Sequence, residues 1–416
     1  MSALPLGWRH ALLGDVAETA LGKMLDRGRS GGHPQVPYLR NVNVQWGRID
    51  TDDVGTMELA DDERERFGVE EGDLLVCEGG EIGRAAIWRG GSGYIAYQKA
   101  LHRVRPSEHL DLRFLLHQLR FAAETGALDR LSTGSTIKHL PQQLLRRLTV
   151  VVPPLDEQRQ IVDILEDHLS RLDAADAYLD AASRRSARLA ATELWHLTHG
   201  HSGSTTHRLD EIAEVRLGRQ RSPANHSGAR MRRYLRAGNV DWNSLRLDDV
   251  KAMNFSEAEE AVHRLAVGDI LVVEASGSAR EVGKSAIYDG TPGEVCFQNT
   301  LLRVRCHAAR PEFVQKYILA EAMAGRFISG ARGVGINHIG RAKLAAWPIG
   351  LPPDADQERL ARQCDAALEG ARALAGALEG VAKRRAGLRR ALLVAAFSGR
   401  LTGHASDMDL AEELVS

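Results

Sequence analysis

The stretch PPLDEQRQIVDILEDHLSRLDAADAYLDAASRRSARLAATELWHLT, residues 153–198, decides how this chain is put together. Pro153-Pro154 ends the strand-like run RRLTVVV, because proline has no N–H and fixes its own φ. Asp156 and Glu157 then place negative charge in the first turn, where the positive end of the helix dipole favours it. No Pro or Gly follows until Gly200, so the pattern predicts one long helix in the middle of the sequence. A second long helix is predicted near the end, after Pro352-Pro353, opening DADQERLARQC and running to about Phe397, just before Gly399.

Working outward from these helices, the two halves of the chain repeat each other, and repeats outrank single motifs in deciding architecture. LGDVAETALGK (13–23) is echoed by LDEIAEVRLGR (209–219), and PYLRNVNVQW (37–46) by RYLRAGNVDW (233–242). Tyr38 with Tyr234, Arg40 with Arg236, Asn43 with Asn239, Val44 with Val240 and Trp46 with Trp242 all fall at one constant offset. VEEGDLLVCEGGEIGRAAIW (69–88) matches LAVGDILVVEASGSAREVGKSAIY (265–288), the second copy carrying four extra residues after Glu274 in a Gly/Ser loop. YQKALHRVR (97–105) matches FQNTLLRVR (297–305), and STGSTIKHLPQQLLRRLTVVVPP (132–154) matches SGARGVGINHIGRAKLAAWPIGLPP (329–353) more loosely.

Each globular copy reads as a mixed domain. GDLLVCE and GDILVVE are apolar runs bounded by Gly-Asp turns, AAIW and SAIY are their expected partners, and ALHRVR and TLLRVR alternate as half-buried strands do. LDLRFLLHQLRFAAE (110–124) and PEFVQKYILAEAMAG (311–325) have helical apolar spacing. The fold class is therefore α+β: two duplicated mixed α/β domains separated by a long antiparallel two-helix coiled coil. The expected divisions are a first domain at 1–154, the central helix at 155–199, a second domain at 200–353, the last helix at 354–399 and a tail at 400–416.

The helix pair rests on spacing. Leu360, Cys364, Ala367, Ala371, Leu374, Leu378, Val381, Leu388 and Leu392 alternate by three and four, with Arg385 the one break, which is a heptad seam. Val162, Leu165, Leu169, Leu172 and Leu179 do the same less cleanly. The alternative is that each helix packs on its own domain, but ~40 residues at ~1.5 Å each extend ~60 Å, longer than one small domain covers.

Composition bounds the rest. The chain has 416 residues, 44% hydrophobic and 26% charged, enough for two or more cores, and a formal net charge of -1, which argues against a uniformly basic coat but not against local basic faces. The start, SALPLGWRHALLG, lacks the features of a signal peptide, and no run approaches the ~18 apolar residues of a membrane span, so a cytosolic location is expected. Cys77, Cys296, Cys306 and Cys364 form no C-x-x-C pair and are expected to be buried or incidental thiols.

No catalytic constellation stands out. An amino-methyltransferase needs an Asn/Asp-Pro-Pro-aromatic tetrapeptide, and neither Pro-Pro pair has those flanks. GARGVGINHIG (330–340) lacks G-x-G-x-x-G spacing and reads as a loop, and no P-loop pattern occurs. The His residues form no H-E-x-x-H; His196, His199, His201 and His207 cluster at a polar junction without a metal-site pattern. Glu78 and Glu81 with Arg84 come nearest to a nuclease core, but Glu78 and Glu274 recur beside Gly turns and read better as turn anchors or as acceptors for a cytosine N4.

Two similar domains on a stiff rod suggest a ruler touching two places on one long partner, and DNA is the foremost candidate. GKMLDRGRSGGH (22–33) and GRQRSPANHSGARMRR (218–233) are Gly-rich, polar and basic loops, able to bring Lys and Arg to phosphates and Asn, Gln and Arg to base edges. The candidate contacts are Lys23, Arg27, Arg29, Arg40, Asn43, Arg84 and Lys138 in the first copy, and Arg219, Arg221, Arg236, Asn239, Arg280, Lys284 and Asn337 in the second. The repeated Tyr38, Trp46, Tyr234 and Trp242 are assigned to core packing.

LPLGW (4–8), the LGDVAE and LDEIAE openings, YLRNVNV and YLRAGNV, TGSTIKHL and above all PPLDEQRQIVDIL resemble the specificity subunit of Type I restriction-modification systems, over essentially the whole chain. The second copy departs from the pattern: PPDADQERLA keeps the Pro pair and Gln357 but loses the Glu-Gln-Arg order, and GARGVGINHI replaces TGSTIKHL. The resemblance implies a non-catalytic subunit with two target recognition domains, each reading half of a split asymmetric double-stranded DNA target, and helices that set the unread gap. It implies no cofactor in this chain; S-adenosylmethionine and adenine methylation belong to two partner modification subunits, and cleavage to restriction and translocase subunits. The competing expectations are a methyltransferase with an unrecognised site and a structural coiled-coil adaptor.

Overall fold

The computed structural model describes residues 4–25, 32–91, 93–133, 138–276, 278, 281–328 and 337–402. The chain divides into two compact units, one made of 1–178 with 380–416 and the other of 179–379. Each unit thus holds one globular copy, the first part of one long helix and the last part of the other.

In the first unit, β1 (Arg9–Leu12), β2 (Ala17–Leu21), β3 (Gln35–Leu39), β4 (Gly55–Glu58), β5 (Leu74–Cys77), β6 (Ala85–Ile87), β7 (Ala96–Tyr97) and β8 (Leu101–Pro106) precede α1 (Leu112–Glu124), β9 (Thr149–Val152) and α2 (Leu155–His199). The main sheet has the order β2-β8-β5-β6, a second sheet β4-β3-β7, and β1 pairs with β9. All pairings are antiparallel except β3 with β7. β5 is buried along its whole length, as its continuous apolar run demands. Asp111 starts α1 by accepting from the backbone N–H of Arg113 and Phe114, and the helix lays Phe114, Leu115 and Leu119 on the sheet.

The second unit repeats this arrangement strand for strand. β10 (Thr205–Arg208), β11 (Ala213–Leu217), β12 (Met231–Leu235), β13 (Lys251–Asn254), α3 (Glu257–His263), β14 (Ile270–Val273), β15 (Ser285–Ile287), β16 (Cys296–Phe297), β17 (Leu301–Cys306), α4 (Pro311–Met323) and β18 (Pro348–Leu351) lead to α5 (Asp354–Phe397). The sheets have the orders β11-β17-β14-β15, β13-β12-β16 and β10-β18. The register is preserved too: Arg103 faces Ala20 and Leu75 on its neighbours, Arg303 faces Arg216 and Leu271.

α2 and α5 run antiparallel within each unit. In the first, Thr402 Oγ1 donates to Glu157 Oε1 (2.8 Å), Arg385 donates to the Leu172 carbonyl and pairs with Asp176 (2.5 Å), and Arg389 pairs with Asp173. Arg385 is the break in the heptad, and its guanidinium serves this crossing. Charge explains the direction: residues 155–178 hold seven carboxylates, whereas 380–397 hold five Lys and Arg and no Asp or Glu. An antiparallel pair sets these segments side by side; a parallel pair would set acid against acid at their starts.

The two readings of the helices, pairing and docking on the domain, both hold. Ile161, Val162 and Leu165 of α2 and Leu393, Ala396 and Phe397 of α5 enter the first unit's core, where Phe397 packs on Phe114 and Phe121. In the second unit Leu194, Leu319, Ala320, Cys364 and Leu368 form a shared cluster. Docking rotates the start of α5 off the strict heptad. Leu368 is buried in place of Ala367, and Leu374, expected on the seam, is 47% exposed.

All four cysteines are unpaired thiols, and burial pushes those of Cys77 and Cys296 up to about 11. No helix among the described residues is long and apolar enough to cross a membrane.

Candidate nucleic-acid interface

The basic loop of each copy leaves the main sheet at a Leu-Gly pair that tolerates only glycine. A Cβ on Gly22 would lie 2.3 Å from the Gln98 carbonyl oxygen, and one on Gly218 2.1 Å from that of Gln298. This close approach lets Lys23 and Arg219 bond through their backbones to the YQK and FQN segments: Lys23 N to Tyr97 O (3.0 Å) and Lys99 N to Lys23 O (2.9 Å), Arg219 N to Phe297 O (3.1 Å) and Asn299 N to Arg219 O (3.0 Å).

The side chains at this position are neutralised inside each unit. Lys23 pairs with Glu63 and lies over the Phe67 ring; Arg219 pairs with Glu259 at 2.8 Å and lies over the Phe255 ring. The Lys23 ammonium holds the Glu63 carboxyl below its ordinary range. Arg219, helped by the Ser256 backbone, holds Glu259 down to about 2.

Asn43 and Asn239 are buried, 4% and 2% exposed, and all their bonding groups are used. Asn43 Oδ1 accepts from Arg40 N (2.8 Å) while its Nδ2 donates to the carbonyls of Asp50 (3.0 Å) and Asp53 (2.8 Å). Asn239 does the same with Arg236 N, Arg246 O and Asp249 O. These asparagines hold a turn and present nothing to a base edge. Arg40 and Arg236 brace the same turns by pairing with Asp53 (2.9 Å) and Asp249 (2.7 Å).

Arg84 donates to the Asn41 carbonyl (2.9 Å) and pairs with Glu81 (3.2 Å). Its counterpart Lys284 is nearly buried, pairs with Glu281 (2.8 Å) and lies 5.7 Å from the Trp242 ring centre. Lys138, half exposed, pairs with Asp129 (2.7 Å) at the edge of a cleft of about 370 Å³ lined also by Trp46, Glu81 and Glu124. Arg221 is exposed, with no ion pair among the described residues. Asn337 opens a two-residue strand paired with Ala275–Ser276. Arg27, Arg29 and Arg280 lie outside the described residues.

Glu78 and Glu274 anchor turns through the main chain. Glu78 bonds to Ala100 O and Leu140 N, Glu274 to Thr300 O and Ile339 N. Trp46 and Trp242 border the cores, as expected, and Trp46 Nε1 also donates to Glu81 (2.8 Å).

The structure adds a cluster that sequence reasoning did not single out. Glu260 is 5% exposed and holds three half-exposed guanidiniums, Arg230 (3.0 Å), Arg232 (2.9 Å) and Arg264 (2.7 Å). Hydrogen bonds from Arg232, Arg264 and Arg230 hold its carboxyl down to about 2. One carboxylate among three guanidiniums leaves a positive surplus, suited to a phosphate or a guanine edge. The signal in the sequence was alternation, Arg230 just before β12 and Arg232 on it leading into Tyr234, but the carboxylate lies far along the chain. In the first copy the constant offset puts Arg64 at this position, so the cluster belongs to one copy alone.

Among the described residues no group of His, Cys, Asp and Glu is arranged to hold a metal ion. Residues 5–176 match the family described as Type I restriction modification DNA specificity domain. The Type I restriction enzyme EcoKI specificity subunit of Escherichia coli K12 is 22% identical over 428 residues, covering 96% of this chain and 90% of the relative. Residues 5–176 thus carry the pattern of a Type I restriction modification DNA specificity domain, and the chain is similar to a specificity subunit over nearly its full length. The StySPI specificity subunit of Salmonella potsdam is similar at 23% identity, again over 96% of this chain and 90% of its own length. A solved chain from work on complex assembly and conformational transition of the type I R-M system superposes with a TM-score of 0.76 at 17% identity, covering 96% of this chain and all of its own. The HsdS subunit from Thermoanaerobacter tengcongensis gives 0.53 at 16% identity, over 95% of this chain and 98% of its own. These two likenesses speak for the shared fold of a specificity subunit.

Proposed function

We propose that each unit of this subunit reads one half of a split, asymmetric double-stranded DNA target, and that the helices set the number of unread base pairs between the halves. The observation that carries this reading is the duplication itself. One scaffold occurs twice with the same turns and registers, while its charged surface groups differ, as two readers of non-identical half-sites require. The chain aims chemistry that others perform: two modification subunits supply S-adenosylmethionine and methylate adenine, and restriction and translocase subunits join them.

Because Lys23, Arg40, Arg84, Arg219, Arg236 and Lys284 are paired with carboxylates inside their units, we assign them to shaping the loops. Arg221 and the Arg230, Arg232 and Arg264 group are the foremost direct contacts in the second unit. In the first unit Lys138, with Arg27 and Arg29, keeps that role.

Methylation mapping of DNA from cells carrying this chain with its neighbouring modification subunit tests the reading. A split adenine-methylated motif is expected, and exchanging residues 1–154 for those of a relative should change one half of it. An active complex that methylates no such motif would overturn the proposal. Binding should also weaken steeply with salt, because neutralised phosphates release counterions.

A further inference from the structure

In both units one glutamine joins the first turn of a long helix to its globular domain. Gln158 is fully buried; its Oε1 accepts from Asp111 N (2.8 Å), and its Nε2 donates to the carbonyls of His109 (2.9 Å) and Pro153 (2.8 Å). Gln357 is 5% exposed; its Oε1 accepts from Arg310 N (3.0 Å) and its Nε2 donates to the Pro352 carbonyl (3.0 Å). Asp111 and Arg310 are the residues that start α1 and α4. Each amide therefore links three points: the end of the last strand, the start of the domain's helix and the start of the long helix.

The bonding survives where its surroundings do not. DEQRQI (156–161) around Gln158 becomes ADQERL (355–360) around Gln357, and the residue that starts the domain helix changes from Asp111, whose side chain caps it, to Arg310, which is followed by Pro311. Only an amide offers an acceptor and two donors from one planar group; a glutamate of the same shape keeps the acceptor and loses both donors. Burial keeps both glutamines from DNA, so their recurrence reflects geometry.

Geometry at this point is amplified by length. α2 has 45 residues, so at ~1.5 Å per residue a tilt of ~5° in its first turn displaces its far end by about 6 Å, nearly two base-pair steps of ~3.4 Å. About two turns further on, a second contact supports each junction: Glu166 with Arg113 (3.2 Å) in the first unit, Asp365 with Lys316 (2.8 Å) in the second.

We infer that Gln158 and Gln357 are positioning residues that fix the direction in which the long helices leave their domains, and thereby set how strictly the complex selects the gap between half-sites. The inference rests on the two-reader function proposed above. The test uses the full chain with its modification subunit, measuring methylation of duplexes that carry both native half-sites with the native gap or a gap one base pair shorter or longer. Gln357→Glu, which removes one donated bond, should lower the preference for the native gap about tenfold, Gln158→Glu, which removes two, should lower it further, and both should leave the preference for half-site bases unchanged. Glu166→Gln and Asp365→Asn, which loosen the same junctions from half-exposed positions, should broaden gap selection in the same direction if the glutamine variants fail to fold.

Folded variants with unchanged gap selection, or with gap and base selection lost together, would overturn the inference. A wild-type complex that methylates no split target would instead overturn the reading beneath it.

Discussion

The two units repeat part of their buried polar work residue for residue and rebuild the rest with different partners. Asp73 accepts from Glu70 N (2.8 Å) and Arg105 (2.6 Å), and Asp269 from Ala266 N (2.7 Å) and Arg305 (2.7 Å). Buried Asn43 and Gln158 recur as Asn239 and Gln357, whereas buried Gln118 gives way to Tyr317 and buried Gln315 stands where the first copy has Leu116. Other buried groups change together with their partners: a His117–Glu166 contact of 3.6 Å becomes a Lys316–Asp365 pair of 2.8 Å, and half-exposed Arg64 becomes buried Glu260, which gathers three arginines. A buried polar group left without its partner costs more than the bond contributes, so such a group either recurs with its partners or is replaced together with them.

The comparison is broken most severely at the carboxylates. Asp73→Ala and Asp269→Ala should each destabilise their own unit by ~3 kcal/mol, since each strands a guanidinium and a backbone N–H. Urea unfolding followed by hydrogen exchange should place each loss in the mutated unit; a clear inequality between them would contradict the shared scaffold. Asn43→Ala and Asn239→Ala should cost about 2 kcal/mol each. At temperatures where both variants remain folded, the methylated motif should be unchanged, which separates a turn-holding asparagine from a base reader.

The divergent positions give smaller and one-sided effects. Arg232→Ala should weaken binding by ~1 to 3 kcal/mol at the second unit's half-site and relax one of its positions, while Arg221→Ala, if it meets phosphate, should weaken all sequences alike and lower the salt slope by about 1. Competition binding at several salt concentrations distinguishes these outcomes.

The smallest effect concerns acid. His117, and after it Arg113, hold the Glu166 carboxyl below its ordinary value of 4.5. A carboxyl lowered by folding adds stability that is present above its unfolded pKa and is lost as pH falls through the folded one. Glu166→Gln should therefore flatten the decline of the first unit's stability below about pH 4.5, by well under ~1 kcal/mol because the group is half exposed. Unfolding curves from pH 6 down to 3 provide the measurement.

Much of the architecture was legible. The Pro-Pro stops, the apolar spacing and, for the central helix, the absence of Pro and Gly located both long helices, because these signals depend on neighbouring residues. The interface was far less legible. Lys23, Arg40 and Arg236 read as free cations in Gly-rich loops, yet their carboxylate partners sit 13 to 40 residues away. The Glu260 cluster escaped for the same reason: Arg230 is 30 residues from its carboxylate.

By itself the sequence determined that this protein is built twice and that two long helices with apolar spacing follow the Pro-Pro stops, since periodicity and backbone breakers act locally. Only the tertiary structure decided which cations are spent within each unit, where the start of α5 rotates to meet its domain, and that the glutamine of PPLDEQ is a buried joint. Those outcomes depend on groups brought within 3 Å of one another from distant parts of the chain, and local patterns carry no record of that distance.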